Sequence, residues 1–339
     1  MTETLMLREI REIPDVVARQ VTVGASLYRD AGARLRRDAP RFIVSCARGS
    51  SDQAASYFKY LAEVRLGVPV ASIGPSVASV YNAELHLAKA LLLTVSQSGG
   101  SPDLVDLQAK GQAGGAYTLA LLNETDSPVG NAADSVLPMS AGPEKAVAAT
   151  KSFVASLVAL ASVVAAWSED EALNEALERL PEAIARSLEC DWSAAAVPIA
   201  AAQSLYTMSR GPGLAIAGEA ALKLKETCRL HAEAYSAAEL RHGPIVLARD
   251  RFAALVFTNG DQSDASVLDA AERLAAAGTC VFIAGGTGRK ALPVVPAPDP
   301  LLAPICHAVS FYRFVEGLSV SLGENPDAPA MLRKVTETV

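Results

Sequence analysis

Three charged side chains, Glu219, Lys223 and Glu226, recur at i, i+4 and i+7 in GEAALKLKETCRLHAEAYSAAEL (218–240). That spacing puts them on one face of a helix spanning the first half of the stretch. Two kinds of chemistry fit the pattern. On an exposed face they form ordinary ion pairs worth about 0.3–0.5 kcal/mol each, and spacing alone favours this reading. Facing a cleft, the same carboxylates become acid/base groups, because burial can lift a glutamate into the working pH range. His242 lies sixteen residues beyond Glu226, in the turn RHGP, where Gly243 and Pro244 restrain the backbone. His231 falls inside the helical run and reads as a packed or hydrogen-bonded histidine.

A second constellation is VSQSGGS (95–101), where a buried strand gives way to a helix starting near Pro102-Asp103. Hydroxyls and unhindered N–H groups at a helix N-terminus suit a phosphate. The alternative is a serine-capped helix after a tight turn. The turn RGSS (48–51) after the first strand offers Ser51 to the same ligand. No lysine of the GxxxxGK[ST] kind is present, so a nucleotide P-loop is not supported.

The elements that must position these groups repeat. RFIVSCARGSS, ALLLTVSQ and AYTLALLN are short apolar runs alternating with helical segments, the pattern of βαβ units on a parallel sheet. Arg48-Gly49 matches Arg210-Gly211, Ser96 matches Thr258, and Tyr117 matches Thr279, each 162 residues apart (210 − 48, 258 − 96, 279 − 117). The spacing implies two copies of one α/β unit. They follow a helical segment at 1–40, and a charged helical connector at 169–203 joins them. The copies occupy 41–168 and 204–325, with a tail at 326–339. PVVPAPDPLLAPI (293–305) reads as a loop before the last helix.

Net charge −7 and a pI near 5.3 argue against a nucleic-acid platform. The longest apolar run, FVASLVALASVVAAW (153–167), falls short of the roughly 20 residues of a membrane span and reads as a buried helix. Five scattered cysteines without a CxxC pair suit a reducing cytoplasm, and four dispersed histidines give no zinc signature.

Together GSSDQA (49–54), SQSGGSPD (96–103), AGPEKAVAATKSF (141–153), EAALKLKETCRLHAEAYSAAELRHGP (219–244) and LRKVTETV (332–339) resemble the sugar isomerase (SIS) domain family, in its double-SIS branch. That branch includes the isomerase half of glucosamine-6-phosphate synthase and the SIS-type amino-sugar-phosphate deaminases. The resemblance implies two tandem SIS domains, each a parallel sheet flanked by helices in a flavodoxin-like sandwich. It assigns phosphate binding to Ser51, Ser96, Gln97, Ser98 and Ser101, the last often threonine in the family. Glu226 falls on the proton-shuttling glutamate, Lys223 on its companion and His242 on a ring-opening histidine supplied across a dimer interface. Lys334 falls on the lysine that contacts the sugar carbonyl, and Val147, Glu219 and Arg333 on further substrate contacts. The family often has Pro-Arg where this chain has Pro329-Ala330, and glutamate where it has Gly100.

What the resemblance implies functionally is a cytoplasmic homodimer acting on a phosphorylated amino sugar, with no metal or redox cofactor. Thr2 follows Met1, and the isomerase-like region begins near residue 40. The expected reaction is therefore deamination, glucosamine 6-phosphate plus water to fructose 6-phosphate plus ammonia, rather than synthesis fed by a glutaminase. Galactosamine 6-phosphate deamination, fructosamine 6-phosphate deglycation and a non-catalytic sugar-phosphate regulator are the alternatives.

Overall fold

In the computed structural model, which describes residues 3–334, ten strands form two five-stranded sheets. Strands β1 (Phe42–Cys46), β2 (Val70–Ser72), β3 (Ala90–Ser96), β4 (Tyr117–Leu122) and β5 (Ser135–Pro138) make the first, in the order β2-β1-β3-β4-β5. Strands β6 (Ser204–Ser209), β7 (Ala232–Ser236), β8 (Phe252–Phe257), β9 (Cys280–Ala284) and β10 (Ala291–Leu292) make the second, in the order β10-β9-β8-β6-β7. Read from its other edge, the second order is the first over again. Every strand pair is parallel. The duplication expected from the sequence is thus present in the topology. Phe42 and Ser204 open equivalent strands, as do Ala90 and Phe252, and both pairs are 162 residues apart (204 − 42, 252 − 90). Of the tail expected at 326–339, residues 335–339 lie outside the described residues.

The chain packs into two compact units, each assembled from separate stretches. Residues 15–144, 151–178 and 333–334 form the first unit, and residues 3–14, 145–150 and 179–332 the second. In the first unit β3 is buried along its whole length, as expected of a central parallel strand covered on both faces. The helices Ala25–Asp38 and Ser50–Leu66 pack on Lys151–Ser168. That last helix is long and apolar enough to cross a bilayer, but 83% of its apolar window is buried inside the protein. It is the core helix that the apolar run at 153–167 announces.

In the second unit, helix Leu214–Cys228 packs against β6, β7 and helix Ala303–Ser321. One expectation fails locally. The helical run ends at Cys228, with Arg229 in the left-handed conformation, and the chain re-enters the sheet as edge strand β7. His231 therefore lies outside the helix, exposed. It is hydrogen-bonded as expected, its Nδ1 lying 2.6 Å from Ser204 Oγ.

Candidate active site

In the first unit, the two serine-rich turns leave the carboxyl ends of β1 and β3. These strands are paired directly, Phe42 opposite Ala90 through Cys46 opposite Thr94. The sheet order reverses between them, and at such a switch point the diverging loops leave a crevice for ligands. Ser51 stands in the first turn of helix Ser50–Leu66. Ser101 is the N-cap of helix Pro102–Ala113, in extended conformation, and its side chain makes no capping bond. Pro102 occupies the first turn of that helix, where its missing N–H costs nothing. Ser96 Oγ accepts the Gly99 N–H at 3.0 Å and Ser98 Oγ accepts the Gly100 N–H at 3.3 Å. Each of these hydroxyls still has its own O–H to donate. Gln97 fixes the loop through its carbonyl, which accepts from Glu124 N at 3.0 Å. Gly99 has φ +59°, and a Cβ there would sit 2.1 Å from Ser127 Oγ, so only glycine fits.

The first unit adds a pair that the motif reading passed over. Arg48, half exposed in the first turn, is ion-paired with Asp103, which is buried in the first turn of the helix after the second loop. The pair ties the two serine loops together and sets a guanidinium beside them. Asp103 lies inside SQSGGSPD, so the motif contained it, but nothing in the spacing linked it to Arg48.

The second unit carries the same switch point between β6 and β8, and there the equivalent loop is already filled. Asp264, 162 residues after Pro102 (264 − 102), accepts Asn259 N at 2.7 Å and Gly260 N at 2.9 Å. Its own carboxylate occupies the donors that an incoming anion would need. The repeat is preserved in fold and divided in chemistry.

Also in the second unit, Lys223 lies between two carboxylates on helix Leu214–Cys228. Its Nζ is 3.2 Å from Glu219 Oε1 and donates to Glu226 Oε2 at 2.7 Å. Glu219 also accepts from Tyr312 Oη at 2.7 Å. The side chains of Glu219 and Lys223 are 0% and 1% exposed, and that of Glu226 is 24% exposed. The solvated, ion-paired face that spacing alone favours is therefore overturned, since two of the three groups are interior. Burial, the largest influence on Lys223, pulls its pKa down. Glu219 and Glu226 together outweigh it and hold the pKa above the ordinary lysine value. Lys223 is thus a fixed positive charge at neutral pH. Glu226 is the member that reaches the surface, and it lines a cavity of about 240 Å³ with Arg229, Glu324, Asn325 and Pro329.

His242 is exposed in its turn, with its N–H donating to Glu239 O at 2.9 Å. Tyr206 Oη donates to Pro244 O at 2.7 Å and anchors that turn to β6. Val147 is half-buried, its N–H donating to Asp327 O at 3.0 Å. In the first unit, Arg333 is exposed, whereas the Lys334 ammonium is 2.8 Å from Glu144 Oε2. Glu144 is a second residue that the motif AGPEKAVAATKSF contained without marking. The candidate residues thus divide between the units. The serine loops, Arg333 and Lys334 belong to the first, and Glu219, Lys223, Glu226, His242 and Val147 to the second.

The model of the SIS domain matches residues 37–166 and 199–290, one segment on each sheet and together more than half of the chain. The chain belongs to the SIS domain family. A glutamine–fructose-6-phosphate aminotransferase (isomerizing) of Thermus thermophilus is 31% identical over 97% of this SIS chain, which spans only 58% of that relative's length. Among solved structures, a Silicibacter pomeroyi protein whose proposed activity is that of a phosphosugar isomerase is 44% identical. The match covers 96% of this chain and all of that one, with a TM-score of 0.90. The C-terminal domain of glucosamine-fructose-6-phosphate aminotransferase from Francisella tularensis superposes with a TM-score of 0.86 over 97% of this chain and 99% of that one. At 23% identity that likeness speaks for the fold alone. The SIS family and the two tandem SIS domains read from the motifs are borne out.

Proposed function

We propose that this SIS protein is an amino-sugar-phosphate deaminase/isomerase that converts glucosamine 6-phosphate and water to fructose 6-phosphate and ammonia. The observation that carries the reading is the array Glu219–Lys223–Glu226. It is a buried cation held between two carboxylates, of which Glu226 is the more exposed and lines a cavity. Such a carboxylate, oriented by a fixed charge, is placed to take up and return a proton.

In the proposed reaction His242 assists opening of the pyranose ring to the aldehyde. Glu226 removes the C2 proton, the electrons pass to the C1 carbonyl oxygen, and an enolamine forms. Returning the proton to C1 gives a ketose imine. Water adds at C2 and ammonia leaves. Lys334 contacts the C1 oxygen, while Ser51, Ser96, Gln97, Ser98 and Ser101 hold the phosphate and keep the open chain aligned. With water as co-reactant the scheme needs no second donor substrate. Val147, Glu219 and Arg333 complete the proposed contacts. We place the protein in a reducing cytoplasm, consistent with five free thiols.

A homodimer that lends His242 to its partner belongs to the same reading. Val246 is 83% exposed and Leu247 52% exposed, just beyond His242, an apolar edge suited to a second copy. Galactosamine 6-phosphate and fructosamine 6-phosphate satisfy the same anchoring and proton chemistry. The deciding experiment is ammonia release from a panel of hexosamine and fructosamine 6-phosphates. Release fastest from glucosamine 6-phosphate supports the proposal. Tight binding of one member without release from any favours a sugar-phosphate regulator.

A further inference from the structure

We infer that Glu144 is the positioning residue that docks the segment 328–334 and presents Lys334. Glu144 lies six residues past β5, and its side chain is 0% exposed. Ser152, in the first turn of helix Lys151–Ser168, donates to it twice, from N to Oε1 at 3.1 Å and from Oγ to Oε2 at 2.7 Å. A carboxylate at a helix N-terminus is stabilised both by the unpaired N–H groups there and by the helix dipole. Glu144 thus has a built seat of its own within the first unit. Lys334 comes to that seat, its ammonium 2.8 Å from Oε2, at a charge-assisted hydrogen-bonding distance.

The chain leading to Lys334 shows why an anchor matters. Ala328, Ala330, Met331, Leu332 and Arg333 are exposed, and Met331 has essentially none of its surface covered. Lys334 is the point at which burial resumes, with its side chain 22% exposed. A lysine on a loose tail samples many positions and can make only a weak, transient contact with a substrate oxygen. Fixing its Nζ on an immobile carboxylate removes that freedom before the substrate arrives. The role of Glu144 in turnover rests on the proposed function, in which Lys334 meets the C1 oxygen. Its role in docking the tail does not.

The test compares the full-length protein with Glu144→Gln and Lys334→Met. Hydrogen–deuterium exchange of the segment 328–334 needs no substrate. Both variants should speed that exchange by about tenfold, the scale of one charge-assisted hydrogen bond, and leave β3 and β8 at wild-type rates. With glucosamine 6-phosphate, Glu144→Gln should lower kcat by about tenfold or more, with the affinity for inorganic phosphate unchanged. Should Glu144→Gln loosen the sheets as well, Lys334→Met, which alters only the tail's side of the pair, decides the docking. Segment exchange at the wild-type rate in Lys334→Met would overturn the inference. So would faster exchange in Glu144→Gln accompanied by an unaltered kcat. Faster exchange in both variants of a protein that turns over no sugar phosphate would uphold the docking and defeat the proposed function instead.

Discussion

Lys223 donates to Glu226 across one turn of helix, at 2.7 Å, from a side chain with almost no exposure of its own. Glu226 therefore sits between a buried positive charge and an open cavity, and the two sides of that boundary give the carboxylate its proposed role.

Replacing Glu226 by Gln keeps the shape and the hydrogen bond to Lys223 but removes the proposed proton carrier. Turnover of glucosamine 6-phosphate should fall by about 10²–10⁴, with inorganic phosphate binding nearly unchanged by calorimetry. A wild-type kcat would remove Glu226 from the mechanism.

Lys223→Met leaves Glu219 buried without its cation. Breaking a buried pair from one side costs about 3–5 kcal/mol, so the urea midpoint should drop well below that of wild type. Glu219→Gln with Lys223→Met should recover part of the loss, since no unpaired charge then remains inside. A single variant as stable as wild type would contradict the interior placement.

Alkaline pH should destabilise the fold. Burial pushes the Cys46 and Cys306 thiols from an ordinary 9.0 up to about 12. The unfolded chain ionises them first, so their contribution is whole below pH 9 and is lost as pH rises toward 12. Lys223 acts with the same sign, its pair holding below the ordinary lysine value of 10.5 and weakening as pH climbs through its raised folded value. Denaturation midpoints at pH 8 and pH 11 measure the slope, and Cys46→Ala with Cys306→Ala should flatten it. An unaltered slope in that double variant would discount the thiols.

Ser98→Ala should chiefly raise KM for the sugar phosphate, because in the proposed function the loop holds phosphate alike in ground and transition states. Gly99→Ala should raise it further, since Gly99 has a φ of +59° and the new Cβ would have to displace Ser127. Steady-state kinetics separate the two, and an unchanged KM in Ser98→Ala would count against its contact with phosphate.

The central strands are legible in the sequence and the edges are not. β1, β3 and β4 are continuous apolar runs because both of their faces are covered, and the 162-residue offset aligns them with β6, β8 and β9. β7 reads AEAYS and buries fully only its first residue, so nothing in its composition separates it from the preceding helix. The site divides in the same way. The serine loops announce themselves through glycine, serine and the N1 proline. Glu219 and Lys223 do not, because i, i+4 spacing is identical on an exposed and a buried face. Their burial depends on helix Ala303–Ser321, whose Tyr312 reaches Glu219 from 93 positions along the chain. Glu144 and Asp264 escape notice for a related reason, since an acidic residue in a loop or at the start of a helix looks solvated until its donors are seen.

The most direct measurement is ¹H NMR of the protein with glucosamine 6-phosphate carrying deuterium at C2. Fructose 6-phosphate and ammonia should appear in equal amounts, more slowly than from unlabelled sugar, because the C2 bond breaks in the step assigned to Glu226. A sugar that binds and is returned unchanged, with its C2 deuterium intact after prolonged incubation, would contradict the account.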